Sequence, residues 1–350
     1  LKEEAKNFWN KAMRVYRLPT HTAIDDLTIK EEGVTTPGKG QVLVKLHAAS
    51  LNYRDLAVAT GKYMMSALPP DLVPLSDGAG EVVEIGEGVT RVRAGDRVAG
   101  IFMQGWLGGD IEPEHGATAL GGAIDGVLAE YRVFDEQGLV HLPPHLSYEQ
   151  GATLPCAAVT AWNALYGLKP LLPGQTVLVL GTGGVSIFAL QFALAAGAHV
   201  IVTSSSDEKL VRAAALGASD GINYKATPDW SAEVPKLTGG RGVDHVVEVG
   251  GPGTLQQSIA SARLGGVVSL IGVLTRGQID PLPILGGGVI VRGIFVGSRS
   301  MFEDMNRAIA LHRLEPVVDR VFGFEEAQEA YRALKSAAHV GKLVIGINAP

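Results

Sequence analysis

The chain has 350 residues, enough for about two domains of ordinary size. At 46% hydrophobic and 19% charged residues it is too apolar for a disordered protein, and a net charge of −6 with no Lys/Arg run excludes nucleic acid as a partner. A single cysteine, Cys156, excludes an intramolecular disulfide framework and a Cys-rich metal knuckle, and fits a reducing compartment, most simply the cytosol.

The opening "LKEEAKNFWNKA" is too charged for a secretory signal. Because Met13 opens a strand-like "MRVYRL", the stretch before it reads either as an added leader or as a native extension. Residues 13–150 are a succession of short strand candidates, among them "QVLVKLHAA", "GEVVEIG" and "DRVAGIF", cut by Gly and Pro turns, which predicts an all-β, barrel-like unit. From about residue 151 strands alternate with helix-length segments: "TVLVL", "SIFALQFALAA", "HVIVT", "DEKLVRAAAL", "VDHVVEV", "TLQQSIASARL" and "VVSLIG". Regular alternation of this kind predicts a parallel sheet covered by helices on both faces. Residues 170–206 carry no Asp, Glu, Lys or Arg and are long enough to raise a membrane span. Pro173 and the glycines at 174, 181, 183, 184 and 197 divide that run into strand, turn, helix and strand, so a buried βαβ unit explains it better and no membrane is expected. The tail holds two amphipathic helix candidates, 301–313 and 324–337, then a strand, "KLVIGI"; no internal repeat is found.

Between "TVLVL" and its helix lies "GTGGVS". Gly181 permits a tight turn and Gly183 a close backbone approach to a pyrophosphate, whose charge the N–H groups of the helix start, at Gly184 and Val185, stabilise; Ser186 takes the third glycine's place. An ordinary βα turn could look the same, but the loop follows a predicted strand, opens a predicted helix and begins several βα units, which points to dinucleotide binding. The second strand ends at Ser204, where an acidic residue would hold the ribose hydroxyls of NAD. Without that carboxylate, Ser204, Ser205 and Lys209 offer donors and a cation to a 2′-phosphate, so NADPH is expected over NADH; Lys209 read alone could equally be a solvated lysine.

"GAGEVVEIGEGVTRVRAGDRV" (78–98), the glycine loop and the closing "GKLVIGI" together resemble the medium-chain dehydrogenase/reductase superfamily over residues 13 to 350. The resemblance implies an α/β fold in which a Rossmann doubly wound parallel sheet (153–297) is inserted into a GroES-like β-barrel catalytic domain (1–152), with the 298–350 segment returning to that domain and the active site in the cleft. Zinc alcohol dehydrogenases of the superfamily hold their metal with a Cys, a His and a Cys; here those places read Asn52, Ser76 beside Asp77, and Cys156. One Cys and an Asp fall short of the three ligands zinc needs, so no metal is expected and Cys156 reads as a small buried residue.

The chain resembles the zinc-free quinone oxidoreductases and enoyl reductases, in which an Asn stands at the first ligand position and a Gly-x-Tyr follows. In the stretch "LNYRDLAVATGKY" these are Asn52 and Tyr63. Hydride addition to the β-carbon of an enone creates an enolate that needs a donor and then a proton, and a phenol can supply both. Tyr63 is accordingly read as donor and acid, Asn52 as the amide orienting nicotinamide or substrate, and Tyr53 as a second donor; the alternative is that the rings line a wall and water gives the proton. Arg54 and Asp55 are read as a local pair, and His47, His115 and His199 as structural. The resemblance further implies dinucleotide contacts at Thr160, Tyr224, Gly250, Gly251, Ile271, Gly272, Val273, Val296 and Gly297, and a pyrophosphate contact at Lys342. The loop from Met103 to Ile124 departs from these relatives and is expected to frame the substrate entrance, with Trp106 suggesting an apolar substrate.

Taken together, these features predict a cytoplasmic, zinc-independent NADPH oxidoreductase acting on an enone or a quinone. Alcohol/aldehyde interconversion and a non-catalytic NADPH-binding protein are the alternatives. A homodimer is expected by edge-to-edge joining of the Rossmann sheets through "VIVRGIFV".

Overall fold

A computed structural model describes residues 12–63, 68–272, 274 and 276–347. The early strands are β1 (Ala12–Arg17), β2 (Thr28–Gly33), β3 (Gln41–Ser50), β4 (Asp77–Ile85), β5 (Arg97–Gly100), β6 (Tyr131–Asp135) and β7 (Leu139–His141). There follow β8 (Thr176–Leu180), β9 (His199–Ser204), β10 (Asp220–Asn223), β11 (Val243–Glu248), β12 (Ala262–Leu270) and β13 (Ile290–Gly293), then β14 (Val318–Phe322) and β15 (Lys342–Gly346). The longer helices are α1 (Tyr53–Ala59), α2 (Val159–Tyr166), α3 (Gly184–Ala195), α4 (Asp207–Ala215), α5 (Pro252–Ser261), α6 (Arg299–His312) and α7 (Ala327–Ser336). Two compact units result: residues up to Cys156 with those from Ser298 onward, and Ala157–Gly297.

In the first unit β3 is the organising strand. It pairs antiparallel with β4 along one edge, while the other edge is shared by β6, opposite Gln41–Lys45, and β15, opposite Ala48–Ser50. Enclosed in this way, β3 buries almost every residue from Val42 to Ser50. The sheet continues in the order β14-β15-β3-β4-β5-β7, and β1 and β2 form a separate antiparallel ribbon. Its core joins sheet residues such as Val44, Leu46 and Ile345 to Tyr331 and Leu334 of α7.

The second unit is a six-stranded, wholly parallel sheet in the order β10-β9-β8-β11-β12-β13. Its middle strands are buried along almost their whole length because helices cover both faces, and they are mostly apolar, with Asp244, His245 and Glu248 of β11 as buried exceptions. The charge-free run of 170–206 is β8, α3 and β9: α3 is buried on nearly every side, which explains its lack of a polar stripe. Among the described residues no helix is long and apolar enough to cross a membrane.

Two elements end elsewhere than the sequence predicts. The helix expected through Leu264 stops at Ser261, and Ala262 begins β12, whose pairing with β11 shifts register between Val243 and His245. Within "VIVRGIFV" the strand is limited to Ile290–Gly293 at the sheet's edge.

Candidate active site

In the first unit, strand register builds a buried polar cluster. Ser50, the last residue of β3, lies opposite Asp77 on β4 and Val344 on β15. Carried two residues further, the β15 register sets Lys342 against Asn52, with Leu51 N–H donating to Leu343 O at 3.1 Å on the way. The Lys342 ammonium, 3% exposed, donates to Leu51 O at 2.5 Å and to Asn52 Oδ1 at 2.6 Å. Asp77, fully buried, accepts from the Ser76 hydroxyl at 2.6 Å and from Cys156 N–H at 3.0 Å. Cys156 itself sits in a π-helical turn, Leu154–Ala158. Among the described residues no group of three or more His, Cys, Asp or Glu is assembled to hold a metal ion.

Asn52 is the N-cap of α1, a position where an Asn side chain usually accepts a backbone N–H of the first turn. It makes no such cap bond, because Lys342 holds its oxygen. Asp55, three residues on, accepts Asn52 N–H at 2.7 Å. Arg54 and Asp55 approach to 3.5 Å as a buried pair. The Arg54 guanidinium also donates to Leu120 O at 2.8 Å and lies 5.0 Å over the Tyr63 ring and 4.7 Å over Phe102. Gly122 leaves room for it, since a Cβ there would stand 2.2 Å from Arg54 Nη2. Tyr63 is partly buried against the core, whereas Tyr53 is 58% exposed on the outer side of α1.

Burial governs the ionisation of this cluster. It raises the Asp55 carboxyl to about 6 against the opposing pull of Arg54. Burial likewise raises Asp77 and lowers Lys342, each countered by the other's charge. The Cys156 thiol is pushed up by burial and further by Asp77, so it is no ready thiolate.

The loop from Met103 to Ile124 is held by its own contacts. Trp106 is buried, stacks on His115 at 5.9 Å and donates its indole N–H to Gly109 O, so the ring packs within its loop and does not stand out toward a ligand. His47 stacks on Tyr148 and His199 bonds Asp220, both structural roles.

In the second unit a separate set of candidate residues lies at the carboxyl ends of the parallel strands. Gly181 has φ +72°, a conformation glycine adopts freely, and a Cβ on Gly183 would meet nothing within 4 Å, so this backbone faces open space. Gly184 and Val185 open α3, and Ser186 bonds back to Leu180 O at 2.7 Å. Ser204 closes β9 with its hydroxyl on Ser206 N–H, and Ser205 follows it; Ser206 caps α4 through Lys209 N–H. Tyr224, exposed, bonds Ser204 O through its backbone, so the two stand side by side. Gly250 and Gly251 donate to buried Glu248, as Thr254 does. Ile271 and Gly272 donate to Glu248 O, and a Cβ on Gly272 would stand 1.7 Å from Val249 O. Val296 has φ +39°, a strained value for a β-branched residue, and its carbonyl, next to Gly297, accepts from Asn163, one turn along α2 from buried Thr160. Val273 lies outside the described residues. An open glycine turn, a helix start and a row of strand-end loops fit a dinucleotide.

The resemblance set Asn52, Asp77 and Cys156 at the places of one metal's ligands, but sequence reasoning did not join Asp55 and Lys342 to them. The usable signal was local: an Asn at a helix start with an Asp three residues later marks a capping motif.

Residues 38–144 match the model of the alcohol dehydrogenase GroES-like domain, and 184–311 that of zinc-binding dehydrogenases. A zinc-type alcohol dehydrogenase-like protein of Schizosaccharomyces pombe is 50% identical over 331 residues, 91% of this chain and 95% of that protein. A quinone oxidoreductase-like protein 2 homolog of Nematostella vectensis is 26% identical over 353 residues, 96% of this chain and 90% of its own. The crystal structure of an NAD-dependent alcohol dehydrogenase superposes with a TM-score of 0.87 at 32% identity, covering 96% of this chain and all of that one. Sequence, sheet order and glycine loop agree that the chain belongs to the medium-chain dehydrogenase/reductase superfamily, as an alcohol dehydrogenase-like, NAD(P)-dependent oxidoreductase.

Proposed function

We propose that the protein is a zinc-independent, NADPH-dependent oxidoreductase that reduces an α,β-unsaturated carbonyl compound or a quinone. The observation that carries this reading is the condition of the three metal-ligand positions: Asn52 Oδ1 is held by an ammonium at 2.6 Å, Ser76 donates to Asp77, and Cys156 is the one thiol. Zinc does not fit this set, since three strong ligands and an open fourth position are required and a buried cation already lies against Asn52. Ene reduction tolerates its absence better than aldehyde reduction, because the incoming charge spreads from the β-carbon to an oxygen that neutral donors can hold.

In this reading Gly181, Gly183, Gly184 and Val185 hold the pyrophosphate, while Ser204, Ser205, Lys209 and Tyr224 favour the 2′-phosphate of NADPH. Thr160, Gly250, Gly251, Ile271, Gly272, Val296 and Gly297 line its path. When bound, the reduced nicotinamide supplies a hydride. Asn52 orients the acceptor, Tyr63 donates to its oxygen and then a proton, and Tyr53 is a second donor. Dissociation constants measured for NADPH and NADH should differ by about tenfold or more, and a ratio near one removes the serine argument. A homodimer joined through β13 and a cytoplasmic location complete the proposal.

Alcohol/aldehyde interconversion is the second reading, favoured by the likeness to a zinc-type alcohol dehydrogenase-like protein. Incubating chelator-treated protein with NADPH and trans-2-hexenal separates the two. Saturated aldehyde is the expected product; allylic alcohol transfers the assignment to carbonyl reduction. Tight NADPH binding without turnover of enals, quinones or aldehydes assigns a non-catalytic role.

A further inference from the structure

The side chain of Asn52 is held in an unusual way for its position. A lysine ammonium can only donate, so the oxygen of the amide must be the atom facing Lys342, and the amide orientation is fixed. Nδ2 is then turned away from Lys342 and toward Asp77, whose ionised carboxyl it helps to hold, and it is buried with no acceptor within ordinary hydrogen-bond distance. Buried orphan donors are rare enough to demand an explanation, and here the local alternative of capping α1 has been given up. The Lys342 ammonium has a second acceptor, Leu51 O, so both of these bonds converge on the two residues that lead into α1.

We propose that Lys342 is a positioning residue that stands where a metal cation would, gripping Asn52 Oδ1 so that Nδ2–H is presented to the oxygen of the electrophile. The inference rests on the reading that the protein reduces a conjugated carbonyl or quinone, and adds to it the group that prepares the acceptor. Were a hydride to reach the β-carbon of a bound enone, the electron pair of the C=C would move toward the carbonyl and charge would accumulate on its oxygen. An N–H whose amide oxygen already accepts from an ammonium is polarised in advance, and so is a stronger donor to that oxygen than an unassisted amide. Asp77, held by Ser76 and the Cys156 amide, balances the ammonium in the interior. Lys342 acts through Asn52 and not on the dinucleotide in this account, which separates it from a pyrophosphate contact.

The test is a double-mutant cycle on whichever enone, quinone or aldehyde the wild type reduces, with NADPH affinity measured separately by fluorescence. Lys342→Met should lower kcat by about 10- to 100-fold, while the dissociation constant of NADPH changes by less than roughly threefold. In an Asn52→Ala background the same substitution should cost roughly threefold or less, and Lys342→Arg should recover part of the loss. Should Lys342→Met fail to fold, Lys342→Met with Asp77→Asn keeps the interior neutral and answers the same question. Additive losses in the two backgrounds, or weakened NADPH binding as the main effect, overturn the proposal. If the wild type reduces none of these acceptors, the functional reading fails first. The Asn52 side-chain amide is then followed by 15N NMR as hexenal is added with NADP present: a shift seen in wild type and lost in Lys342→Met supports the proposal, and no shift overturns it.

Discussion

Tyr63 has a buried guanidinium, that of Arg54, 5.0 Å from its ring centre and also within reach of its hydroxyl. Tyr63→Phe keeps the stacked ring and removes the hydroxyl with its contact to Arg54. We expect kcat to fall by about 100-fold with NADPH affinity unchanged, read by steady-state kinetics beside a binding titration; retention of nearly all of kcat would give the proton to water. A second single-residue effect is on stability. His245, on β11, is buried with neither ring nitrogen hydrogen-bonded, and burial lowers its pKa from 6.5 to about 4. Above pH 6.5 both folded and unfolded chains carry it neutral. As pH falls below that value the unfolded chain takes up a proton that the folded one refuses, so stability declines toward pH 4, by about 2 kcal/mol at pH 5. His245→Leu should shrink the fall in Tm between pH 7 and pH 5, and an unchanged fall would place the acid sensitivity elsewhere.

At the scale of elements, two glycines of the strand-end loops should fail in opposite ways. At Gly183 a methyl group meets no protein atom, so Gly183→Ala should leave Tm in place yet weaken NADPH binding by about tenfold, ~1.4 kcal/mol, because the added carbon occupies the approach of the pyrophosphate. At Gly272 the same methyl would collide with Val249 O, so Gly272→Ala should destabilise the fold by about 2 kcal/mol. Thermal melts paired with binding titrations distinguish them, and equal Tm losses would contradict the contrast. These loops also mark what the sequence made legible. The strand-turn-helix of Thr176–Ala195 announces itself within twenty or so residues, through an apolar run, a glycine turn and a second apolar run. The end of α5 does not, because "ARL" satisfies a helical pattern as well as a strand, and the register of β12 against β11 decides it. The Asn52 cluster was legible only in its separate members: Lys342 lies 290 positions from Asn52, and nothing local in either segment says that two strand ends will bring them together.

For the whole molecule, β13 is a sheet edge with Leu282, Leu285 and Ile290 exposed near it. An open, apolar edge invites pairing with a second copy. Sedimentation should give the mass of a dimer, and Ile290→Lys should shift it toward monomer; a monomeric wild type would refute the assembly. The dependence of β3 on β15 has a further consequence, for the order in which the protein is made. At a synthesis rate of roughly 5–20 residues per second, the span from Asn52 to Lys342 takes on the order of 15–60 s to emerge. The parallel sheet of the second unit has all its strands before then, whereas the end of β3, paired with β4 along one edge, must leave its other edge open for a partner still inside the ribosome. The second unit's sheet is therefore complete well before the chain can hold Asn52 in place, and ribosomes stalled short of residue 342 would release a protein with an open sheet edge for chaperones to cover.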